Sequence, residues 1–486
     1  QLTAKEFKLA NNALIFNQMN LETPYSSLGD TFAMKFRNFG DFSNFNDKVL
    51  MQAHFKDASF AVKDIMVFAP ALQRNTFFQN NRDEILTIDG EISGRVNNLR
   101  GRELNIKLAR GAIFEGDFSS RNLAVHDEEF LNLRVEQLRT TMKTVKEILP
   151  KFNLPANFMK LGNLDFSGSF DGFFTDFVAF GDLKTNLGRA TLDMRLNLKN
   201  KLENAEYSGR LSLLNFNLQK WTDNPDLGNI TFSSEVVEGR GLTGNSANAK
   251  LTATVDTFVY KNYRYKNIGL TGELNKSLFD GNLVINDENI DLVFAGEIDF
   301  TDSIPKFNFL SNVNKIALKP LNLSKQDLAF QGQVEINIVD INLSNMQGDL
   351  AVYNFKMIKD DAETFEADSI LASSSFDDAN QKQFIVESDL LSAALYGNFD
   401  IQSTPEALMQ YLERNFPEFM TKFGLKSKGK QLNPSKFTYD IKIKDAFNFT
   451  HLVSPKLDSV KNLSFKGYFD SFSEKLKIDL VLPTLK

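Results

Sequence analysis

Apolar and polar residues alternate along most of this chain. In NIDLVFAGEIDF (289–300), every second residue from Ile290 is apolar or glycine: Ile290, Leu292, Phe294, Gly296, Ile298 and Phe300. A period of two is the signature of a strand with one apolar face and one wet face. The same pattern carries Leu192, Met194, Leu196 and Leu198, then Leu251, Ala253 and Val255. It returns at Val334, Ile336 and Ile338, at Phe437, Tyr439, Ile441 and Ile443, and at Leu476, Ile478, Leu480 and Leu482. Short polar clusters such as KNKLEN (199–204), TDNPDLGN (222–229) and NDEN (286–289) separate the runs and read as turns. The pattern predicts an all-β antiparallel meander; at about 12 residues per strand and turn, the chain holds roughly 35–40 strands.

A degenerate motif, apolar-x-apolar-x-Gly-x-apolar, recurs within these runs. It reads LDFSGSF (164–170), IGLTGEL (268–274), LVFAGEI (292–298), LAFQGQV (328–334) and LSFKGYF (463–469), with partial copies at ILTIDGEISG (85–94), YSGRL (207–211) and LYGNF (395–399). Glycine in mid-strand marks a bulge, a bend or a close approach of backbone. Repeated from strand to strand, it suits a sheet that curls at one place. The irregular spacing argues against a solenoid of fixed period.

Two stretches change period. Residues 134–149 place Leu138, Met142, Val145 and Leu149 on one side of a helix that Pro150 ends. Residues 404–423 start with Thr404 as N-cap and Pro405 in the first turn. Leu408, Tyr411, Leu412, Phe416, Phe419 and Phe423 form its apolar stripe, which Pro417 kinks or divides. These helices set three segments: 1–150, a β segment ending in the first helix; 151–403, continuous strands; and 404–486, the second helix and further strands. Two helices cannot cover so many apolar strand faces, so either sheets cover each other or the face stays open.

Composition narrows the function. Net charge is -7, from 55 Lys+Arg and 62 Asp+Glu, which argues against a nucleic-acid partner. Phe is abundant at 46 copies, against one Trp and 10 Tyr, roughly twice its ordinary share. With no Cys, neither a disulfide framework nor a thiolate metal site can form, which fits an envelope protein that avoids stray disulfides. No apolar run reaches the roughly 18–20 residues of a membrane-spanning helix. The chain starts at Gln1 with no signal peptide, and is expected to be a fragment or processed form.

Motifs of chemistry are few. His54, His126 and His451 lie far apart, without a second ligand at metal spacing, so no metal site is expected. Gly239, Gly241 and Gly244 in GRGLTG fit G-x-G-x-x-G, but a turn and a strand follow where a dinucleotide site needs a helix. Asp360–Asp361 and Asp377–Asp378 sit in polar loops, without an apolar pocket to raise a carboxyl pKa. No catalytic residues, cofactor or enzyme activity are expected.

Three passages resemble the TamB family of the AsmA-like superfamily, in its Bacteroidota form: LGNLDFSGSFDGFFTDFVAFGDLKTNLGRATLDMRLNL (161–198), YRYKNIGLTGELNKSLFDGNLVINDENIDLVFAGEIDF (263–300) and LYGNFDIQSTPEALMQYLERNFPEFM (395–420). The likeness covers most of the chain, would make it a middle portion, and is a diffuse pattern without catalytic signatures. It implies an elongated, curled β-sheet forming an open hydrophobic trough, and a periplasmic protein of a Gram-negative bacterium. Such a protein is tethered to the inner membrane by an anchor absent from this chain. Its partners would be phospholipid acyl chains and an outer-membrane barrel, and its work lipid transfer between the two membranes.

The candidate lipid-groove residues are Leu164, Phe166, Phe170, Leu192, Met194, Leu196, Leu270, Leu274, Ile290, Leu292, Phe294, Ile298, Phe300, Leu328, Phe330, Val334, Ile336, Ile338, Phe399, Ile441, Phe465, Ile478 and Leu480. Three tripeptides, Asp302-Ser303-Ile304, Asp368-Ser369-Ile370 and Asp458-Ser459-Val460, resemble the O-glycosylation sequon of Bacteroidota envelope proteins, and are equally ordinary turn chemistry. The chief alternative is a periplasmic scaffold for outer-membrane protein assembly that pairs its sheet edge with strands of a partner barrel. A transmembrane barrel would need girdles of Trp and Tyr that one Trp does not supply. A string of β-sandwich adhesin domains would need regular linkers.

Overall fold

A computed structural model describes residues 1–486 except 69, 75, 124–127, 149–155, 174, 200–201, 244–245, 341, 343, 361–362, 423, 430–433, 446–460 and 482–486. Among the described residues, 26 strands form one antiparallel sheet that does not close into a barrel. The chain packs as two compact units, Gln1–Arg264 and Tyr265–Lys486. In the first, each strand from Leu2–Ala10 to Asn248–Tyr260 pairs with the next in sequence. In the second, the same meander runs from Tyr263–Asn275 to Lys475–Val481.

The strand count is lower than expected because the strands are longer. They reach 14 residues at Leu227–Arg240 and Glu363–Phe376, and helical insertions take up further chain. Pairing continues past both expected helices: Phe130–Thr141 pairs with Asn163–Phe173, and Leu391–Asn398 with Lys436–Asp445.

Register follows the apolar alternation. In the strand Ile290–Asp299, Leu292 faces Ile285 and Val313 on its two neighbours, Phe294 faces Leu283 and Ser311, and Ile298 faces Phe279 and Phe307. Where the sequence slips out of phase, a bulge absorbs the extra residue. Phe55 pairs with Gly90 but Ala58 pairs with Ile88, and the intervening Asp57 takes φ 51°. Leu133 and Val135 share a face with Leu138 across another such shift.

That shift explains a correction. Residues 134–141 belong to the strand Phe130–Thr141 rather than to a helix, which occupies only Met142–Ile148. Leu138 shares helical spacing with Met142 by coincidence; it pairs with Phe114 and Phe166. Thr141 caps the short helix, its hydroxyl accepting the N–H of Thr144 at 3.1 Å. Leu149 and Pro150 lie outside the described residues.

The second expected helix is two, Thr404–Asn415 and Pro417–Lys422, divided at Pro417. Ser403, not Thr404, is the N-cap; the Thr404 hydroxyl instead donates to the Asp400 carbonyl at 2.6 Å. Pro417 resets the phase, so Met420 is buried while Phe416 and Phe419 are about half exposed; Phe423 is outside the described residues. Shorter helices at Val62–Phe68, Thr76–Asn80 and Leu218–Thr222 went unanticipated, since one or two turns leave no readable period. Among the described residues, no helix is long and apolar enough to cross a membrane.

Candidate functional site: the apolar face

In the first unit, the strands from Asn163–Phe173 to Asn248–Tyr260 bring their apolar residues into cross-strand rows. Phe170 faces Ala179, which faces Met194, which faces Gly209. Phe166 faces Leu183; Leu192 lies between Gly181 and Leu211; Leu196 lies between Phe177 and Tyr207. Leu164 continues the face beside Phe166. All six candidate residues here are half-buried, while Ser167, Asp171, Asp182, Asp193 and Arg195 point the other way into solvent. Leu164 packs against a buried cluster of Met142, Leu161, Leu187 and Phe216 at one end of the face, whereas the other five candidates are shielded by their neighbours in the rows.

Two facing glycines shape this stretch. Gly168 and Gly181 pair directly, with φ of 152° and 148°. A Cβ on Gly168 would stand 2.0 Å from the Phe180 carbonyl oxygen, and one on Gly181 would stand 2.1 Å from that of Ser167. Only glycine lets the two backbones meet this way.

The second unit repeats the arrangement. Leu270, Leu274, Ile290, Leu292, Ile298, Phe330, Val334, Ile336 and Ile338 are half-buried on one face, and Phe294 is 7% exposed among them. Phe294 stacks obliquely on Phe309, centroids 4.8 Å apart. Leu328 begins its strand opposite Lys359. Phe300 falls one residue past its strand, where it meets Phe307 edge-on at 5.7 Å. Ile441 and Phe465 are half-buried on the same face of later strands, and Ile478 and Leu480 are exposed on the last one.

Elsewhere protein covers the face. In the N-terminal strands the apolar residues pack on each other around Ala58 and Leu104, 0% and 2% exposed, with Met19, Phe55 and Ile88. The helix Val62–Phe68 buries Val62 and Met66 against Leu72 and Val96. Near the C-terminus, the helix Thr404–Asn415 lays Ala407 and Tyr411 over Phe399, Phe437 and Phe469. Phe399 is therefore 6% exposed and covered by this helix. The closure over Phe437 and Phe469 joins residues far apart in sequence and leaves no local signal.

Charged groups keep to the strand ends and the polar face. The hydroxyl and N–H of Thr301 hold the Asp299 carboxyl below its usual range, fixing the turn after that strand. Lys382 is 1% exposed, its ammonium donating to the Ser344 carbonyl at 3.2 Å; burial pushes it below the ordinary lysine range. His54 pairs with Asp30 through Nδ1, while His126 and His451 are outside the described residues. Gly239 is the last residue but one of the strand Leu227–Arg240, Gly241 follows that strand, and the next element is the strand Asn248–Tyr260; Gly244 is not described. Among the described residues, no group of three or more His, Cys, Asp or Glu could hold a metal ion. Ser303 lies in an exposed turn and Ser369 within a strand, while Ser459 is outside the described residues.

No protein-family model matches this sequence, and no curated protein matches it.

Proposed function

We propose that this chain is part of a TamB-like lipid-transfer conduit, in which the apolar face of each unit receives phospholipid acyl chains in the periplasm. One observation carries the reading. Across consecutive strands of each unit, the registers gather Leu, Ile, Phe and Met on one face and leave them half-buried. A soluble sheet ordinarily covers such a face with a second layer. Each methylene brought out of water onto it contributes about 0.8 kcal/mol. An acyl chain leaving a bilayer exchanges one hydrocarbon surface for another, so transfer is close to balanced. Rows of similar side chains offer no deep well, which lets a chain slide from one row to the next. The reading needs no catalysis. It assigns the chain an inner-membrane tether and an outer-membrane barrel as partners.

Transfer of a fluorescent phospholipid between donor and acceptor vesicles tests it. Leu192→Asp with Met194→Asp places two carboxylates on the face without touching a buried core, and should reduce transfer at least about tenfold while the far-ultraviolet dichroism is unchanged. Unchanged transfer in a folded variant contradicts the reading. The alternative, a scaffold for outer-membrane protein assembly, works through main-chain strand pairing rather than through the apolar face, so under it the double Asp variant would retain strand pairing with a partner.

A further inference from the structure

The second unit carries a feature on its polar face that lipid transfer does not use. Gln383, Tyr396, Thr438, Tyr468 and Lys477 pair in succession across five strands, forming one row. The adjacent row on the same face runs Ala394, Asp440, Lys466 and Asp479. Together they line an open depression of about 410 Å³. Tyr396 and Tyr468 are 43% and 39% exposed, and the small, exposed Thr438 lies between them.

We propose that this depression is a saccharide-binding site, with the two tyrosines flanking a pyranose ring. The spacing favours a puckered ring. Two strands apart, the tyrosines stand about 9.6 Å from each other at the backbone. A flat ring stacked on both would need only about 7 Å, twice a close carbon–carbon contact. A saturated sugar ring is thicker, and presents C–H edges that pack on aromatic faces.

The charges agree. The lining holds two ion pairs, Lys466 with Asp440 at 3.0 Å and Lys477 with Asp479 at 2.8 Å. Two cations balance two carboxylates, so the depression attracts neither anion nor cation strongly. It offers alternating donors and acceptors to hydroxyl groups. The Tyr396 hydroxyl donates to Asp377 at 2.5 Å, which holds its ring in place. On the other side of the same strands, Tyr411 packs edge-on against Phe469 at 5.7 Å, which stiffens the platform. This site stands apart from the proposed lipid face and does not rest on it.

Chitotetraose, cellotetraose and maltotetraose, each titrated into the full chain by calorimetry and saturation-transfer NMR, test the assignment. At least one should bind at millimolar concentration. Tyr396→Ala and Tyr468→Ala should each weaken it at least about tenfold, equivalent to about 1.4 kcal/mol. Tyr468→Phe keeps the ring and should retain most of the affinity, and Leu192→Asp with Met194→Asp should leave it unchanged. Failure of all three sugars to bind overturns the proposal. So does tetramethylammonium binding in their place, or full affinity in both alanine variants with unchanged melting temperatures.

Discussion

Single residues decide where this sheet bends and where its turns hold. Gly168 is the clearest case, because its φ of 152° and the nearby Phe180 carbonyl both exclude a side chain. Gly168→Ala should cost about 1–3 kcal/mol from backbone strain, with the carbonyl clash adding to it. A melting temperature several degrees lower is the expected readout; an unchanged one shows that the strands part there without penalty. Asp64 is the second case. The hydroxyls of Ser26 and Thr23 each donate to its carboxylate at 2.6 Å, tying the helix Val62–Phe68 to the turn before the strand Ser27–Lys35. These bonds hold the Asp64 carboxyl below its usual range, Ser26 contributing most. A depressed carboxyl stabilises the fold fully above the unfolded-state pKa of about 3.9, and that contribution is lost as pH falls through the lower folded-state value. Wild-type stability should therefore fall more steeply below about pH 4 than that of Asp64→Asn. Parallel melting curves against pH would contradict the link.

Among the elements, the paired helices near the C-terminus show how packing overrides a sequence stripe. Tyr411 is buried against Phe469, whereas Phe416 and Phe419 are about half exposed beyond the Pro417 break. Tyr411→Ala should destabilise the second unit by about 3 kcal/mol, and Phe416→Ala by less than about 0.5 kcal/mol, both read from urea unfolding. Equal effects would mean the stripe continues through the proline. Strands were legible because a period of two survives over eight or more residues. The side of the sheet was not legible throughout, since bulges such as the one at Asp57 reset the alternation using residues that look like ordinary polar positions. The helix over residues 134–141 was misread for the same reason: Leu138 returns to the apolar face by a bulge. The candidate residues Leu192, Met194 and Leu196 were recognisable from alternation alone, and their rows follow from register. The covering of Phe399 was hidden, because it depends on a helix that also packs on Phe437 and Phe469, roughly twenty to fifty-five residues further along the chain.

On the scale of the whole chain, a net charge of -7 goes with a sheet whose one face is polar and whose other face is apolar. Each unit combines a covered stretch with a half-exposed one. The first is closed around Ala58 and Leu104 and accessible around Met194; the second is closed around Phe469 and accessible around Ile336. The account therefore predicts lipid contact in definite places. A photo-reactive amino acid placed at Met194, Arg195, Glu335 and Ile336 in turn, illuminated with phospholipid vesicles and read by mass spectrometry, tests this most directly. Phospholipid adducts should form at Met194 and Ile336 and not at their immediate neighbours Arg195 and Glu335, which face the opposite side of the sheet. Adducts at all four positions alike, or at none, would contradict the claim that one face of this sheet takes up acyl chains.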